Sequence, residues 1–333
     1  MEKVIIALDA MGGDYAPEQT VKGAVEAVNS SDEIRVILVG KQDMITKELE
    51  KYEYAKDDIE VVHASEIIDM GDVPTVAIKD KKDSSLVVAM RLVREGKADA
   101  LVSAGSTGAV LVGGQLVVGR LKGIKRPPLA PFIPTTKGFS LLIDCGANVD
   151  ARPEHLVQFA QMGSIYYENV MGKKNPTVAL LNIGTEEEKG NQLVKDTKPL
   201  MKECKNINYI GSVEARELVS GAADVIVCEA FVGNVVLKFF EGLALTLFGS
   251  LKEGLMSSTR TKLGALLVKP ALKGLKNQFD TSSQGGAPLL GLKGLVVKAH
   301  GNSSSKEIEI ALKQCISFKK QKINEKIKES ICD

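Results

Sequence analysis

The stretch FSLLIDCGANVD, residues 139–150, is an apolar run that breaks at Asp144 into glycine, asparagine and a second aspartate. A strand buried on both faces reads as a continuous apolar run, whereas a half-exposed one alternates. The stretch therefore predicts an inner strand of a parallel sheet that ends in a polar loop. The chain repeats this pattern. VIIAL runs into DAMGGD, ADALV into SAGSTG, TVALL into NIGTEEEKGN, ADVIV into CEAFVGN, and LVVKA into HGNSSS. IRVILV, IEVVHA and INYIGS add further strands. Between several of them lie segments with helical spacing, at 17–29, 84–95, 107–121, 153–171, 190–204 and 234–252. This alternation predicts an α/β fold with three α/β/α layers and a mainly parallel sheet. The last segment, KEIEIALKQCISFKKQKINEKIKES, has the spacing of one long, charged, amphipathic helix.

In an open parallel sheet the carboxyl ends of the strands lie along one edge, and ligands bind in the crevice outside them. Six glycine-containing loops should meet there. Glycine lets backbone N–H groups come close to a ligand, and helix starts after such loops leave donors that suit an anion; Ser106 or Thr107 is placed to cap the helix after SAGSTG. Taken singly, each loop also reads as plain turn and cap chemistry. The sequence has no GxxxxGK[ST], no GxGxxG after a strand, no GxSxG and no HExxH, which disfavours Walker, dinucleotide, hydrolase and zincin sites. Of three histidines, His63 and His155 read as structural residues at a strand end and a helix start, and His300 lies on the ligand edge. Lys189 and Lys238 sit just beyond strand ends, where each is either a solvated side chain or a charge for an anion.

Composition narrows the class. The 333 residues carry a net charge of +1 and are 44% hydrophobic, enough for a large core with no overall pull toward nucleic acid. Five cysteines, Cys145, Cys204, Cys228, Cys315 and Cys332, form no CxxC pair, which favours a reducing cytoplasm over a zinc site. The N-terminus turns polar after one short apolar run, and no run of about 18 uninterrupted apolar residues occurs, so neither secretion nor a membrane span is expected.

DAMGGDYAP (9–17), SAGSTGA (103–109), GRLKGIKRPPLAP (119–131), DCGANVDARPEHLVQFAQMG (144–163), LLNIGTEEEKGN (180–191), FVGNVVLK (231–238), GGAPLLGLKG (285–294) and HGNSS (300–304) together resemble the bacterial fatty acyl-ACP:phosphate acyltransferase family, often called PlsX, nearly end to end. The family usually carries asparagine where this chain has Ser106. The resemblance implies a single acyltransferase domain over 1–333, with a fold like that of phosphotransacetylases and the isocitrate dehydrogenase superfamily. It also implies a homodimer and no nucleotide, flavin or metal. The implied reaction moves a long acyl group from acyl carrier protein to inorganic phosphate, and the acyl phosphate feeds phospholipid synthesis.

A thioester is an activated donor, so phosphate can attack directly if both reactants are aligned and the oxyanion is stabilised. Gly105, Ser106 and Thr107 are assigned to phosphate, Asn182 and Asn234 to orientation or the oxyanion, and Lys189 or Lys238 to charge. Asp9, Asp14 and Asp144 orient donors, hold lysine or accept a proton. Gly12, Gly13, Asn148, Glu186, Asn191 and His300 complete the candidate substrate-binding set. Arg120, Lys122, Lys125 and Arg126 offer a landing surface for the acidic carrier protein, or are a solvated helix end.

Residues 253–285 form the candidate excursion from the core. Within 257–279, Leu263, Leu266, Leu267, Ala271, Leu275 and Phe279 fall on one helical face, with Pro270 expected to kink or divide the helix. Arg260, Lys262, Lys269, Lys273 and Lys276 line the rest, and no acidic residue occurs between Glu253 and Asp280. This pattern suits a helix lying on an anionic membrane, which would add peripheral membrane contact to a cytoplasmic protein. A stripe packed on a partner subunit or lining the acyl groove fits it too. Two other functions remain open: a short-chain acyl-CoA:phosphate transferase or nicotinamide-dependent dehydrogenase of the same superfamily, and a non-catalytic membrane-associated interaction protein.

Overall fold

The computed structural model describes residues 3–279 and 285–331, apart from the side chains of Lys276 and Asn277. Asp280 and Cys332 lie outside the described residues. The chain begins with β1 (Val4–Asp9), α1 (Glu18–Asn29), β2 (Ile34–Gly40), α2 (Gln42–Leu49), β3 (Ile59–His63), α3 (Pro74–Asp80), α4 (Ser85–Arg94), β4 (Ala100–Ser103) and α5 (Thr107–Gly113). It continues through β5 (Phe132–Thr135), β6 (Gly138–Ile143), α6 (Pro153–Met171), β7 (Thr177–Asn182), α7 (Gln192–Glu203), β8 (Asn208–Glu214) and β9 (Val225–Val227). The last part holds α8 (Ala230–Met256), α9 (Thr259–Gln278), β10 (Ala287–Leu289), β11 (Leu295–Lys298), α10 (Ser305–Lys320) and α11 (Ile323–Ile331).

The strands divide into two sheets rather than one. The first has the order β10-β11-β4-β1-β2-β3 and the second β5-β6-β9-β7-β8. Both are parallel except at the short edge strands β10 and β5. The alternation of side chains along each strand explains the layers. Ile6, Leu8, Val36, Leu38, Val102 and Val297 face α1 and α10, whereas Ala7, Ile37, Val39, Leu101 and Val296 face α4 and α5. In the second sheet Leu141, Ile143, Val178 and Val225 meet α6, and Leu142, Ala179 and Ile226 lie over the start of α8. One apolar cluster is continuous between the sheets, since Tyr166 of α6 packs on Phe132 of β5 and on Phe318 of α10.

Three helix boundaries differ from the sequence pattern. The expected helix 107–121 ends at Val118, in a wide terminal turn (Gly114–Val118), because Gly119 takes a φ of 89°. The long C-terminal helix is broken at Lys322, whose φ is 53°; the turn lets Ile323 and Ile327 bury against α6. Pro270 lies inside α9 without dividing it, because proline removes one intrahelical bond and the carbonyl it frees can be hydrated on an exposed helix.

The excursion begins within α8. This helix is long and apolar enough to cross a membrane by length and composition, although polar residues interrupt its apolar run. Its first turns are packed into the fold through Gly233 and Leu237. The part beyond, 242–256, spans only about 22 Å at helical rise, short of the ~30 Å hydrocarbon thickness. α8 and α9 pair and leave Phe239, Leu245, Leu247, Leu263, Leu266 and Leu267 exposed.

The α1–α10 contact holds a buried carboxylate with two lysines at the surface. Glu309 accepts hydrogen bonds from Lys306 and Lys313, both at 2.7 Å, and from Ser30 at 3.0 Å. Burial alone would raise its pKa, but these three donors outweigh it and hold the carboxyl at about 2. A depressed carboxyl contributes stability above its unfolded value, near 4.3, and loses it as pH falls toward the folded one. Glu309→Gln should therefore lower unfolding free energy in urea at pH 7 by on the order of 2 kcal/mol, after allowance for the exposed lysines. The difference should vanish between roughly pH 4.5 and 2.

Candidate active site

Three of the six polar strand ends belong to each sheet. In the first, Asp14 donates its backbone N–H to Gly301 O at 2.7 Å, and Ala299 N–H donates to Ser103 O at 2.9 Å. The turns close on one another at glycines. A Cβ on Gly12 would stand 2.4 Å from Asp9 Oδ2 and 2.8 Å from Gly105 N, and one on Gly13 would stand 3.0 Å from Gly301 O. The loops after β1, β4 and β11 thus bring together Asp9, Gly12, Gly13, Asp14, Gly105 and His300.

Asp9 is buried and accepts the Ser103 hydroxyl at 2.7 Å. Burial raises its pKa, while the Ser85 and Ser103 hydroxyls and the Met11 and Gly12 amides pull the other way. Its Oδ1 has no partner within hydrogen-bond geometry. Ser106 is buried at the start of α5 but makes no side-chain cap, and Thr107 is exposed beside it.

In the second sheet Asp144 is fully buried. Its carboxylate accepts from Leu129 N (2.9 Å), Ala147 N (3.2 Å), Asn148 N (2.8 Å) and Asn148 Nδ2 (2.7 Å). Burial pushes its pKa up to about 6 against those donors. Asn148 also donates to Pro127 O at 2.9 Å, which ties the basic loop to this cluster. Arg120, Lys122, Lys125 and Arg126 are all exposed there. Lys125 lies 3.7 Å from Glu154, and the Arg120 guanidinium donates to Lys125 O.

The start of α8 rests on the same loop. Glu229 caps it by accepting from Phe231 N and Val232 N, and Asn234 Oδ1 lies 3.7 Å from the Cβ position of Gly146. Further along, Lys238 pairs with Glu241 at 2.8 Å, and Glu241 lies 3.5 Å from His300 Nε2. This links the two clusters. Desolvation lowers the His300 pKa, Glu241 opposes that, and Lys238 and Lys298 add to the lowering.

The third unit is the loop 183–191. Asn182 donates to Gly184 O and Lys189 O, at 2.9 and 3.0 Å. The buried Lys198 donates to the carbonyls of Glu186, Glu187 and Lys189 at 2.8–3.0 Å. Lys189 and Glu186 are exposed on this loop, and Asn191 caps α7 through Val194 N. Of the two other histidines, His155 accepts from Arg152 N at the start of α6, and His63 accepts from Gln42 N.

Sequence reading passed over Ser103, Lys198 and Lys298. Lys298 ends the apolar run of β11 and is only 8% exposed, and a lysine closing an inner strand was the available signal. Its ammonium donates to Ala104 O at 3.4 Å and to Ala299 O.

The chain matches the model of a family described as fatty acid synthesis protein over residues 4–326. It is 54% identical over 326 residues to the phosphate acyltransferase of Alkaliphilus oremlandii, covering 98% of this chain and 97% of that one. It is 50% identical over 324 residues to that of Clostridium acetobutylicum, covering 97% and 98%. Among solved structures it resembles a phosphotransacetylase from Streptococcus pyogenes, with a TM-score of 0.65 and 17% identity over 95% of this chain and 94% of that one. That likeness is one of fold. Matched along nearly its whole length, the chain belongs to the fatty acid synthesis protein family, whose relatives of about half-identical sequence are phosphate acyltransferases.

Proposed function

We propose that the protein is an acyltransferase that moves a long-chain fatty acyl group from acyl carrier protein to inorganic phosphate, giving acyl phosphate for phospholipid synthesis. The observation that carries this reading is the junction at α8. One helix sets Asn234 against the Asp144 loop and Lys238 and Glu241 beside His300, so it links the two glycine-lined clusters. Glycine turns and fixed cations suit a reaction that gathers phosphate and an oxyanion in one place.

In this reading the loop Gly105–Thr107 receives phosphate, with Asp9, Gly12, Gly13 and Asp14 shaping it from the side. Asn234 orients the thioester carbonyl, and Lys238 with Lys189 supplies charge. Asn182 and Lys198 act through the loop carbonyls they hold, so they position Lys189. An oxygen of hydrogen phosphate forms the new C–O bond, the C–S bond breaks, and the phosphate's proton ends on the departing thiolate. The exposed basic loop 120–126 receives the acidic carrier, and its tie to Asp144 through Pro127 brings that carrier to the Asp144 cluster.

The paired helices α8 and α9 supply the apolar surface. Leu263, Leu266 and Leu267 are 66%, 67% and 84% exposed, and Leu275 is 42% exposed. This face serves as contact with an anionic membrane, in a cytoplasmic homodimer that delivers a poorly soluble product. A long-chain donor accounts for such a surface, and a short-chain phosphotransacylase has no use for it.

Purified protein should release carrier protein from palmitoyl-ACP only when phosphate is present, with acyl phosphate as product. Equal release without phosphate would mark a thioesterase, and preference for acetyl-CoA would favour the short-chain reading. Lys189→Ala and Asn234→Ala should each slow turnover roughly a hundredfold to a thousandfold. Lys198→Met should slow it with faster hydrogen exchange confined to 184–191. Reversing Lys122 and Arg126 to Glu should raise KM for acyl-ACP and flatten its salt dependence. Liposomes containing anionic lipid should bind the parent protein at low salt, and Leu267→Glu should weaken that binding while the dimer persists.

A further inference from the structure

Strand register sets three polar side chains in one row. β1 pairs with β4 at Ala7↔Leu101 and Leu8↔Val102, so Asp9 falls beside Ser103. β11 pairs with β4 at Val296↔Leu101 and Lys298↔Ser103. Registered residues of a parallel sheet share a face, so Asp9, Ser103 and Lys298 continue the apolar row Ala7, Leu101 and Val296 by one step, at the carboxyl edge. Ser103 sits in the middle, donating to Asp9 and accepting from Gly105 N at 3.0 Å.

A buried ammonium is costly unless it is paired. Among the described residues no carboxylate lies within ion-pair distance of Lys298. Its hydrogen bonds go to two carbonyls, Ala104 O and Ala299 O, which use two of its three donors. Ala104 opens the turn that leads into Gly105, Ser106 and Thr107. A cation held this way, under a turn closed by Gly12 and Gly105, is suited to an anion that arrives from outside.

We propose that Lys298 is the fixed cation of the phosphate half of the site, binding inorganic phosphate beside the Ala104–Gly105 turn. This rests on the acyltransferase reading above. Burial and then Lys238 pull the Lys298 pKa down to about 8, against Asp9 and Asp14. The titratable groups around it are Asp9 on β1, Asp14 in the next loop and Lys238 on α8, with His300 on its own strand end and Glu241 behind Lys238. Phosphate brought beside it favours the ammonium, so binding takes up a proton once the free lysine has lost one. Affinity for phosphate should then fall as pH rises through about 8.

The test measures binding of inorganic phosphate to the full-length protein by calorimetry, between about pH 7 and 9.5, for the parent, Lys298→Arg and Lys298→Met. The parent should lose about tenfold in affinity across the alkaline half of the range. Lys298→Arg, which stays charged, should bind with little pH dependence. Lys298→Met should bind roughly tenfold to a hundredfold more weakly at pH 7.5. An alkaline fall retained in Lys298→Arg would overturn the proposal, and that variant decides if Lys298→Met does not fold. So would parent-like affinity in a folded Lys298→Met. Either result leaves the acyltransferase reading standing if the parent still consumes acyl-ACP with phosphate; absence of that turnover removes both.

Discussion

The contact between Gly233 and the carbonyl of Asp144 fixes where α8 can lie. A Cβ at Gly233 would stand 1.9 Å from that oxygen, so the helix can start against β6 only because the residue there has no side chain. From this start the helix carries Asn234, Lys238 and Glu241 outward at its own spacing. Asn234 stays over the Asp144 loop, and Glu241, two turns on, reaches His300 in the other cluster. The link between the two clusters therefore depends on one close backbone approach. The shared apolar cluster around Tyr166 keeps the sheets in register behind it.

Both clusters hide charge beneath glycine turns. Asp144 keeps a carboxylate at the cost of a raised pKa because four N–H groups converge on it. Asp9 and Lys298 lie on either side of Ser103 without meeting. Buried polar groups of this kind weigh against stability. Their position at the carboxyl edges of inner strands is where an α/β fold places its ligand.

The strand ends were legible in the sequence because inner strands are continuous apolar runs, and the break at DAMGGD, SAGSTG or DCGANVD is abrupt. The family resemblance carried by those loops is borne out by the relatives. The division into two sheets was not legible, since it is set by pairing between distant strands such as β11 and β4. The break at Lys322 has no glycine or proline to mark it and follows from the burial of Ile323 and Ile327. Lys198 and Lys298 were passed over because a lysine is ordinarily solvated. Only the fold reveals that one gathers three carbonyls and the other ends an inner strand. Asn191, which the sequence placed in the substrate-binding set, caps α7, and Ser106 stands at a helix start without capping it.

The central claim is that phosphate attacks the thioester directly between the two clusters, with no acyl group carried on the protein. Exchange of labelled carrier protein into unlabelled acyl-ACP tests it most directly, with phosphate left out. Direct attack predicts no exchange, because without phosphate the C–S bond is never broken. Rapid exchange under those conditions would require an acyl-enzyme and would contradict the account.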